Sequence, residues 1–468
     1  MRIYLIVVSG ELDPLRSVNP FMPLSLPLLA GSAPEHEYVF TDFLAEDEDA
    51  LDFNGQYHVV GISYRVSAEK KAFEMADKFR QTNAVVVLGG PQASAAPLKA
   101  KKHADIVVVG EAEKTWPQLL YDVQHNKHRD FYLCTPGPTH YFEGFNVYKT
   151  SEMPDIKATP TPIRYLYKKK YRFDMIYAAR GCPIDCSFCH VSRIYGTKMR
   201  FRSHEDIIPE IENFGRHFFL IDDSAFGRKN CFDYYLQLYK RIAAIPKKRF
   251  WIGQGNLDAA ADERGREVIQ QAARSGLSYV SVGLESVNAD NIKKTGILPK
   301  MGITDTEVLL EQLKQNITFI QQEGIAVSAW FTIGLEHDTI DSCRDTLEFC
   351  LSTHVFPVLN PIQALEGTRF FEELKEADLL LEQDTNVSNV KNVSMSNEDF
   401  ITIMQEVLDK AYSKKIMTQR VLYYFRKLLK KNVSFFELIH RLILIHFTQL
   451  KLKKVLKYEI VRFKKRLS

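Results

Sequence analysis

Three cysteines fall within eight residues of this 468-residue chain: Cys182, Cys186 and Cys189, in the stretch Ala179-Arg180-Gly181-Cys182-Pro183-Ile184-Asp185-Cys186-Ser187-Phe188-Cys189-His190. Spacings of three and two intervening residues, in a loop carrying Gly and Pro, let three thiolates converge on one small centre. Cysteine thiolates are the usual protein ligands of iron–sulfur clusters, and a [4Fe-4S] cube normally takes four. Here the loop supplies three, which leaves the fourth iron open to an outside ligand. Zinc is the alternative, because Cys3His is a common structural set and His190 is adjacent. The immediate neighbour of a ligating cysteine is poorly placed to close the same tetrahedron, however, and no second CxxC lies nearby. The other four cysteines (Cys134, Cys231, Cys343 and Cys350) are scattered, and seven is an odd number. That pattern does not suggest a secreted disulfide framework.

Further polar groups sit where apolar runs end. Phe219-Leu220-Ile221-Asp222-Asp223-Ser224 puts two acids at the carboxyl end of a strand. They are expected to face a pocket; the plainer reading is an acidic loop capping the next helix. Val282-Gly283-Leu284-Glu285-Ser286 ends another strand in Glu285, and Gln254 and Asn256 end the strand between them. Gly334-Leu335-Glu336 and Ala364-Leu365-Glu366-Gly367-Thr368 are further strand-end segments, which speak for the fold more than for chemistry.

The elements that must carry these groups form an α/β pattern. Strands are expected at Arg2–Val8, Glu37–Phe40, Val59–Ser63, Ala84–Leu88 and Asp105–Val109, with helices such as Ala68–Arg80 and Glu113–Val123 between them. This alternation predicts a doubly wound, Rossmann-like parallel sheet over residues 1–125. Gly89-Gly90-Pro91 and Gly110-Glu111 follow two of those strands, at the ends where such sheets bind ligands. Residues 126–172 read as a Pro-rich connector with little regular structure, marked by Pro136, Pro138, Pro154, Pro160, Pro162 and the charged Lys168-Lys169-Lys170. A second series then runs over 173–375, with strands at Met175–Ala179, His217–Ile221, Phe250–Gln254, Tyr279–Val282, Ala326–Ile333 and Phe356–Gln363. Helices at Asp206–Phe214, Cys231–Ile245, Arg264–Arg274 and Thr306–Glu323 alternate with them. Six such units predict a partial (β/α)6 TIM-type barrel, with its site at the carboxyl ends of the strands. Residues 376–468 read as helical.

Composition is that of a folded protein, 45% apolar and 25% charged. The apolar run at the N-terminus stops at Ser9-Gly10, too short for a signal sequence, and a cytoplasmic address is expected. The net charge of +3 hides an asymmetry. Residues 410–468 hold 17 Lys and Arg against only Glu437 and Glu459, while residues 1–409 are net acidic. Aromatic and aliphatic groups (Val421–Phe425, Phe435–Ile439, Leu442–Ile445) are interspersed with these cations. The tail is therefore expected either to lie on an anionic membrane surface or to cap the barrel with a solvated basic face; nucleic acid fits less well.

CxxxCxxC with an aromatic before its last cysteine, placed after the first strand of a barrel, resembles the signature of radical S-adenosylmethionine (SAM) enzymes. The resemblance implies that Cys182, Cys186 and Cys189 hold a [4Fe-4S] cluster whose open iron is chelated by SAM, and that Phe188 packs near the adenine. It also implies that Asp222, Asp223, Gln254 and Glu285 contact SAM or substrate. A doubly wound domain before the cysteine loop is similar to the cobalamin-binding branch of that family. That likeness runs over about residues 1–412, through Gly89-Gly90-Pro91-Gln92, Val109-Gly110-Glu111-Ala112-Glu113, Gly196–Ser203 and Asn386–Ser396.

Within that branch the chain looks most like hopanoid C-methylases and the methylases of bacteriochlorophyll side chains. The resemblance thus implies cobalamin held at Ser63, Gly89, Gly90, Pro91, Gly110 and Glu111, and methyl transfer to an unactivated carbon of a hydrophobic, lipid- or pigment-like substrate. It further implies an electron donor of the flavodoxin or ferredoxin type. Two departures stand out. No Asp-x-His-x-x-Gly string is present, and Gln92 stands where relatives often have His. His36 and His58 lack the context of a cobalt ligand and read as surface or packing residues. The alternatives are a domain that only shields the barrel mouth, a radical cyclisation, rearrangement or carbon–carbon coupling without methyl transfer, and a non-catalytic iron–sulfur or lipid-binding protein.

Overall fold

The computed structural model of the chain describes residues 1–9, 21–137, 142–168, 171–295, 298–301, 308–381, 387–391 and 393–467. Gly10, Pro138, Lys169, Lys170, the beginning of the helix expected from Thr306, and Asn386 and Asn392 lie outside the described residues. By its internal contacts the chain forms two compact units. The first is Met1–Ser203 with Leu365–Glu373; the second is His204–Ala364 with Leu374–Ser468.

The first unit is built on seven strands: β1 (Arg2–Val8), β2 (Glu37–Asp42), β3 (Val59–Tyr64), β4 (Val85–Gly89), β5 (Ile106–Gly110), β6 (Phe131–Cys134) and β7 (Val147–Lys149). Their spatial order is β2-β1-β3-β4-β5-β6-β7, and every pairing is parallel. Such strands are covered on both faces and read as continuous apolar runs. Strand β1 shows why. Tyr4, Ile6 and Val8 enter one core with Val60, Ile62 and Leu88, while Ile3 and Leu5 enter the other with Val59 and Trp116. The order reverses around β1, which puts a topological switch point at the carboxyl ends of β1 and β3.

Two of these strands fall where the sequence promised an irregular connector. β6 pairs with β5 from Val107↔Phe131 to Gly110↔Cys134, and β7 extends the sheet by three further pairs. The prolines responsible for the connector reading, Pro136 and Pro154, flank these strands and do not interrupt them. Four residues, Phe-Tyr-Leu-Cys, were too short a run to stand out against so many breakers.

β8 (Asp174–Ile176) and β9 (Ala179–Arg180) take the place of the single strand expected over Met175–Ala179, and β9 pairs antiparallel with β10 (Arg200–Phe201). In the second unit, β11 (His217–Leu220), β12 (Phe250–Gly255), β13 (Leu277–Glu285), β14 (Ala326–Ile333) and β15 (Phe356–Pro361) lie side by side in sequence order, all parallel. Helices Phe232–Ala244, Glu263–Ser275, Leu309–Gln322 and Ile340–Ser352 connect them, so strand and helix alternate as a partial (β/α) barrel requires.

Three helices follow, Asn397–Ala411, Lys414–Lys430 and Phe435–Leu467. Buried polar groups tie them to the strands. The Tyr412 hydroxyl donates to Pro357 O (2.8 Å), the Tyr424 hydroxyl accepts from Val327 N (3.3 Å), and Arg441 Nη1 donates to Leu277 O (2.9 Å). The last helix therefore does cap the barrel with one face. Its opposite face carries exposed Phe435, Ile443, Leu450 and Val461.

Strand β6 gives a direct check on the seven-stranded sheet. Phe131 is fully buried and its ring lies 4.8 Å from that of Phe142. Phe131→Ala is expected to cost about 3–5 kcal/mol in denaturant unfolding; a side chain on an irregular connector would cost under about 1 kcal/mol.

Candidate functional site

The cysteine loop opens with a forced turn. Gly181 has φ +95°, and a Cβ there would lie 2.5 Å from Lys198 O, so only glycine fits between β9 and the returning strand. Cys182 N donates to Gly196 O (3.1 Å), Cys189 N to Cys186 O (3.1 Å) and Val191 N to Cys189 Sγ (3.5 Å). Asp185, between the first two cysteines, takes φ +51° and is braced by an ion pair from Arg369 Nη1 to its Oδ2 (3.2 Å). All three thiols are half-buried and none is in a disulfide. Phe188 is half-buried beside them.

Among the described residues, no three His, Cys, Asp or Glu side chains are drawn together as ligands for a single ion. A cube binds each thiolate at a different iron, so its ligands stand further apart than those of one zinc ion at about 2.3 Å from each sulfur. A three-thiol loop braced at both ends fits such a cluster. His190, the fourth ligand of the zinc alternative, is engaged elsewhere: its Nε2 lies 2.6 Å from Glu366 O.

The residue before this turn carries the strongest interaction near the site. Arg180 donates from Nη1 to Glu111 Oε2 (2.5 Å) and from Nη2 to Glu113 Oε1 (2.5 Å), and Arg200 pairs with Glu111 as well. Burial works to raise the Glu113 carboxyl, but the charge and hydrogen bond of Arg180 outweigh it, and the group titrates below the usual carboxylate range. Glu111 and Glu113 stand just past β5, so two carboxylates of the doubly wound sheet grip the two strands that frame the cysteine loop. Glu113, Arg180 and Arg200 were not singled out as site residues in the sequence. Charged residues flanking a Gly-Cys and a Gly-Glu turn were the available signal, but their pairing is long-range and local pattern does not encode it.

At the carboxyl ends of β4 and β5 the chain turns on glycines, and it has open space around it at Gly89; a Cβ at Gly110 (φ +83°) would lie 2.0 Å from Cys134 O. A Cβ at Gly89 would meet nothing closer than 3.8 Å, whereas one at Gly90 (φ +95°) would lie 2.6 Å from Ser63 Oγ. Ser94 Oγ donates to Gly90 O and accepts from Gly110 N, both at 2.9 Å, fixing these turns to each other. Pro91 is exposed at the start of its short helix. The Tyr64 hydroxyl, next to Ser63, is buried with no hydrogen-bond partner. The open approach at Gly89, beside the exposed Pro91, leaves room for a ligand against the backbone. Glu111 is buried here, and its carboxylate serves Arg180 and Arg200. His36 and His58 lie at the opposite ends of the strands, against Met1 N (3.3 Å) and Arg2 N (3.1 Å).

In the second unit, Asp222 is buried and accepts from the Tyr235 hydroxyl (2.8 Å). The following helix, Phe232–Ala244, has Cys231 at its N-cap, with no side-chain cap hydrogen bond. Burial, aided by the neighbouring Asp222 charge, pushes the Asp223 carboxyl up to about 7. Gln254, next to last in β12, is exposed, and Asn256, just past the strand, is buried. Glu285 takes φ +62° at a register shift in β13; its Oε1 pairs with Lys300 Nζ (2.8 Å) and its Oε2 accepts from Thr332 Oγ1 (3.1 Å). Lys300 and Thr332 are partners the sequence did not point to.

The raised Asp223 carboxyl has a stability consequence. An acid whose folded pKa lies above its unfolded value of about 3.9 favours the fold while protonated and loses that advantage as pH rises towards about 7. Asp223→Asn is expected to raise the unfolding midpoint at pH 8 and to flatten its decline between about pH 4 and 7, as thermal melts across that range would show.

Residues 176–350 match the family model of the Radical SAM superfamily. The chain is 26% identical over 370 residues to the bacteriochlorophyllide d C-12(1)-methyltransferase of Chlorobaculum tepidum, spanning 76% of this chain and 74% of that protein. It is 25% identical to the C-8(2)-methyltransferase of the same organism, over 89% of this chain and 91% of that one. It is 23% identical to the hopanoid C-2 methylase of Rhodopseudomonas palustris, over 72% and 60%. Among solved structures, the radical SAM methyltransferase TsrM from Kitasatospora setae, with cobalamin and a [4Fe-4S] cluster bound, aligns with a TM-score of 0.64 and 15% identity over 85% of this chain and 84% of that one. The cobalamin-dependent radical enzyme OxsB aligns with a TM-score of 0.66 and 15% identity, over 95% and 72%. At such identity these structures speak for the fold, and the family match speaks for the cysteine loop it encloses. Residues 176–350 are a radical SAM domain.

Proposed function

We propose that the chain is a cobalamin-dependent radical SAM enzyme that transfers a methyl group to an unactivated carbon of a hydrophobic, pigment- or lipid-like substrate. The observation that carries this reading is the pairing of the cysteine loop with a glycine-lined strand end through Arg180, Glu111 and Glu113. The pigment and hopanoid substrates named for its relatives support the substrate class.

When bound, the cluster and SAM supply a 5′-deoxyadenosyl radical that removes a substrate hydrogen, and cobalamin supplies the methyl group. Cys182, Cys186 and Cys189 hold the cluster, and Phe188 covers the adenine. Asp222, Asp223, Gln254 and Glu285 line the SAM and substrate side. With its carboxyl near 7, Asp223 donates a hydrogen bond on the acid side of neutrality and accepts one above it. The Glu285 carboxylate is held ready by Lys300 and Thr332. Ser63, Gly89, Gly90, Pro91, Gly110 and the backbone of Glu111 receive the corrin ring. An electron donor of the flavodoxin or ferredoxin type completes the system. Residues 1–125 with the two added strands then serve cobalamin, residues 173–375 serve SAM, and residues 376–468 cap and dock.

The docking face is the outer stripe of helix Phe435–Leu467. Phe435 (76% exposed), Ile443 (54%) and Val461 (58%) project beside Lys454, Lys457 and Lys464, an apolar and cationic mixture suited to an anionic lipid surface. Among the described residues no helix is long and apolar enough to cross a membrane, so the contact proposed is peripheral.

Two experiments test this. Anaerobically reconstituted protein is expected to hold about four iron per chain, to show a corrinoid absorption band and to form deoxyadenosine with a methylated product. Cys186→Ala is expected to lose the cluster iron and all deoxyadenosine formation; retention of both would refute the cluster assignment. For the docking face, Ile443→Ser with Leu450→Ser leaves the buried side of the helix intact. It is expected to weaken sedimentation with phosphatidylserine vesicles about tenfold or more, on the order of 1.4 kcal/mol, without changing the melting temperature by more than a few degrees. Unchanged vesicle binding would rule out this face.

A further inference from the structure

The segment Leu365–Glu373 follows β15 in sequence but belongs to the first unit, where it is held on two sides. On one side stands the helix Pro91–Ala95 that opens after Gly89-Gly90. Its Gln92 is 3% exposed, and its Nε2 donates to both Glu69 Oε2 and Glu366 Oε2, each at 2.8 Å. Lys99 pairs with Glu69 and lies 4.0 Å from Glu366 Oε2. Two carboxylates thus share one cation and the two hydrogens of one amide. Gly367 takes φ +81°, and a Cβ there would lie 3.0 Å from both the Cα and the carbonyl oxygen of Ala95. The segment therefore runs backbone against backbone along that helix.

On the other side the same few residues grip the cysteine loop at three points. His190 Nε2 lies 2.6 Å from Glu366 O, Phe370 N donates to Ser187 O (3.0 Å), and Arg369 pairs with Asp185. Asp185, Ser187 and His190 interleave with Cys186 and Cys189. Each turn of the loop is consequently fixed to a strap whose far side is fixed by Gln92.

We propose that Gln92 and Glu366 are positioning residues of the reaction: through the Leu365–Glu373 strap they set where the cysteine loop stands relative to the Gly89-Gly90-Pro91 turn. This rests on the reading that the turn receives the corrinoid. A neutral amide is the group that does this. A carboxylate at position 92 would put a third negative charge beside Glu69 and Glu366, and an alkyl chain would leave two half-buried carboxylates facing each other across one lysine. Radical generation at the cluster and methyl delivery at the corrinoid must meet at one substrate carbon. A displacement of about 1 Å between two reacting centres can cost about 100-fold in rate, so loosening the strap uncouples the two events before it empties either site.

The test uses full-length protein loaded anaerobically with iron, sulfide, SAM and hydroxocobalamin, and three variants. Gln92→Leu removes the shared amide. Arg369→Ala removes an outer grip from a side chain that is 43% exposed and leaves the hydrogen bonds of Gln92 to Glu69 and Glu366 untouched. Gln92→Glu with Glu366→Gln exchanges donor and acceptor. The first two are expected to keep wild-type iron and corrinoid content while the ratio of deoxyadenosine to methylated product rises about tenfold, with a changed electron paramagnetic resonance spectrum of the reduced cluster in the presence of SAM. The exchanged pair is expected to bring the ratio back towards wild type. If Gln92→Leu does not fold, Arg369→Ala alone decides. Wild-type ratio and spectrum in a folded variant overturn the proposal. A wild-type protein that takes up iron but no corrinoid overturns the cobalamin reading instead, and the spectra of the same variants still decide whether the strap positions the cluster.

Discussion

The site depends first on the ion-pair group of Arg180, Arg200, Glu111 and Glu113. All four side chains are at most 15% exposed, and together they carry no net charge. A buried pair of this kind adds little to stability over an apolar replacement, because the desolvation of each ion offsets most of the attraction. What it does add is register. Removing one partner strands a buried charge at a cost of about 3–5 kcal/mol, so a packing that separates these four groups is strongly disfavoured. Arg180 immediately precedes Gly181-Cys182, and the two glutamates follow Gly110, so the register being fixed is that of the cysteine loop against the end of β5. The ring of Tyr177, with the Arg180 guanidinium 4.3 Å above its centroid, closes the remaining side.

Two residues near the proposed chemistry hold a backbone conformation that side chains other than glycine rarely adopt. Asp185 has φ +51° and Glu285 has φ +62°. Each costs on the order of 1 kcal/mol or more unless its surroundings enforce it, and each is enforced in the same manner, by a cation on the side chain. Arg369 holds Asp185, and Lys300 holds Glu285. Strain at such points aims the adjacent peptide groups. Around Asp185 those peptides belong to the stretch that spaces Cys182 from Cys186, and around Glu285 they form the register shift that ends β13.

What could be read from the sequence divides along a physical line. Interactions that span a few residues leave a pattern. The three-cysteine spacing, the apolar runs of β1 and β14, and the amphipathic helix Glu69–Phe79 were all legible; most strands fall within a residue or two of their expected bounds, while β13 runs three residues further and the strand expected over Met175–Ala179 is split into β8 and β9. Strand β6 was not, because proline density masked a four-residue run whose sheet membership is decided by its neighbour β5. Long-range polar choices leave no local pattern. Gln92 reads as a mild oddity after Gly-Gly-Pro, and only the fold reveals that its amide is shared by carboxylates 23 and 274 residues away. Glu111 was legible as a strand-end residue, but the backbone alone is left to face a ligand once Arg180 and Arg200 take its carboxylate.

This division also explains why the cysteine loop is so heavily braced from outside itself. Gly181, Pro183 and the two short spacings let the thiolates converge, but a loop with little secondary structure has many ways to do so. Its own hydrogen bonds, Cys189 N to Cys186 O and Cys182 N to Gly196 O, fix local turns without fixing direction. Direction comes from three external anchors: the Arg180 ion pairs behind Cys182, the Arg369 pair at Asp185, and the His190 contact beyond Cys189. Each anchor lies within two residues of a cysteine, and all three originate in segments remote in sequence. A cluster held only by its thiolates could pivot. One whose loop is pinned beside every ligand can be aimed, and aim is what a reaction between separate cofactors demands.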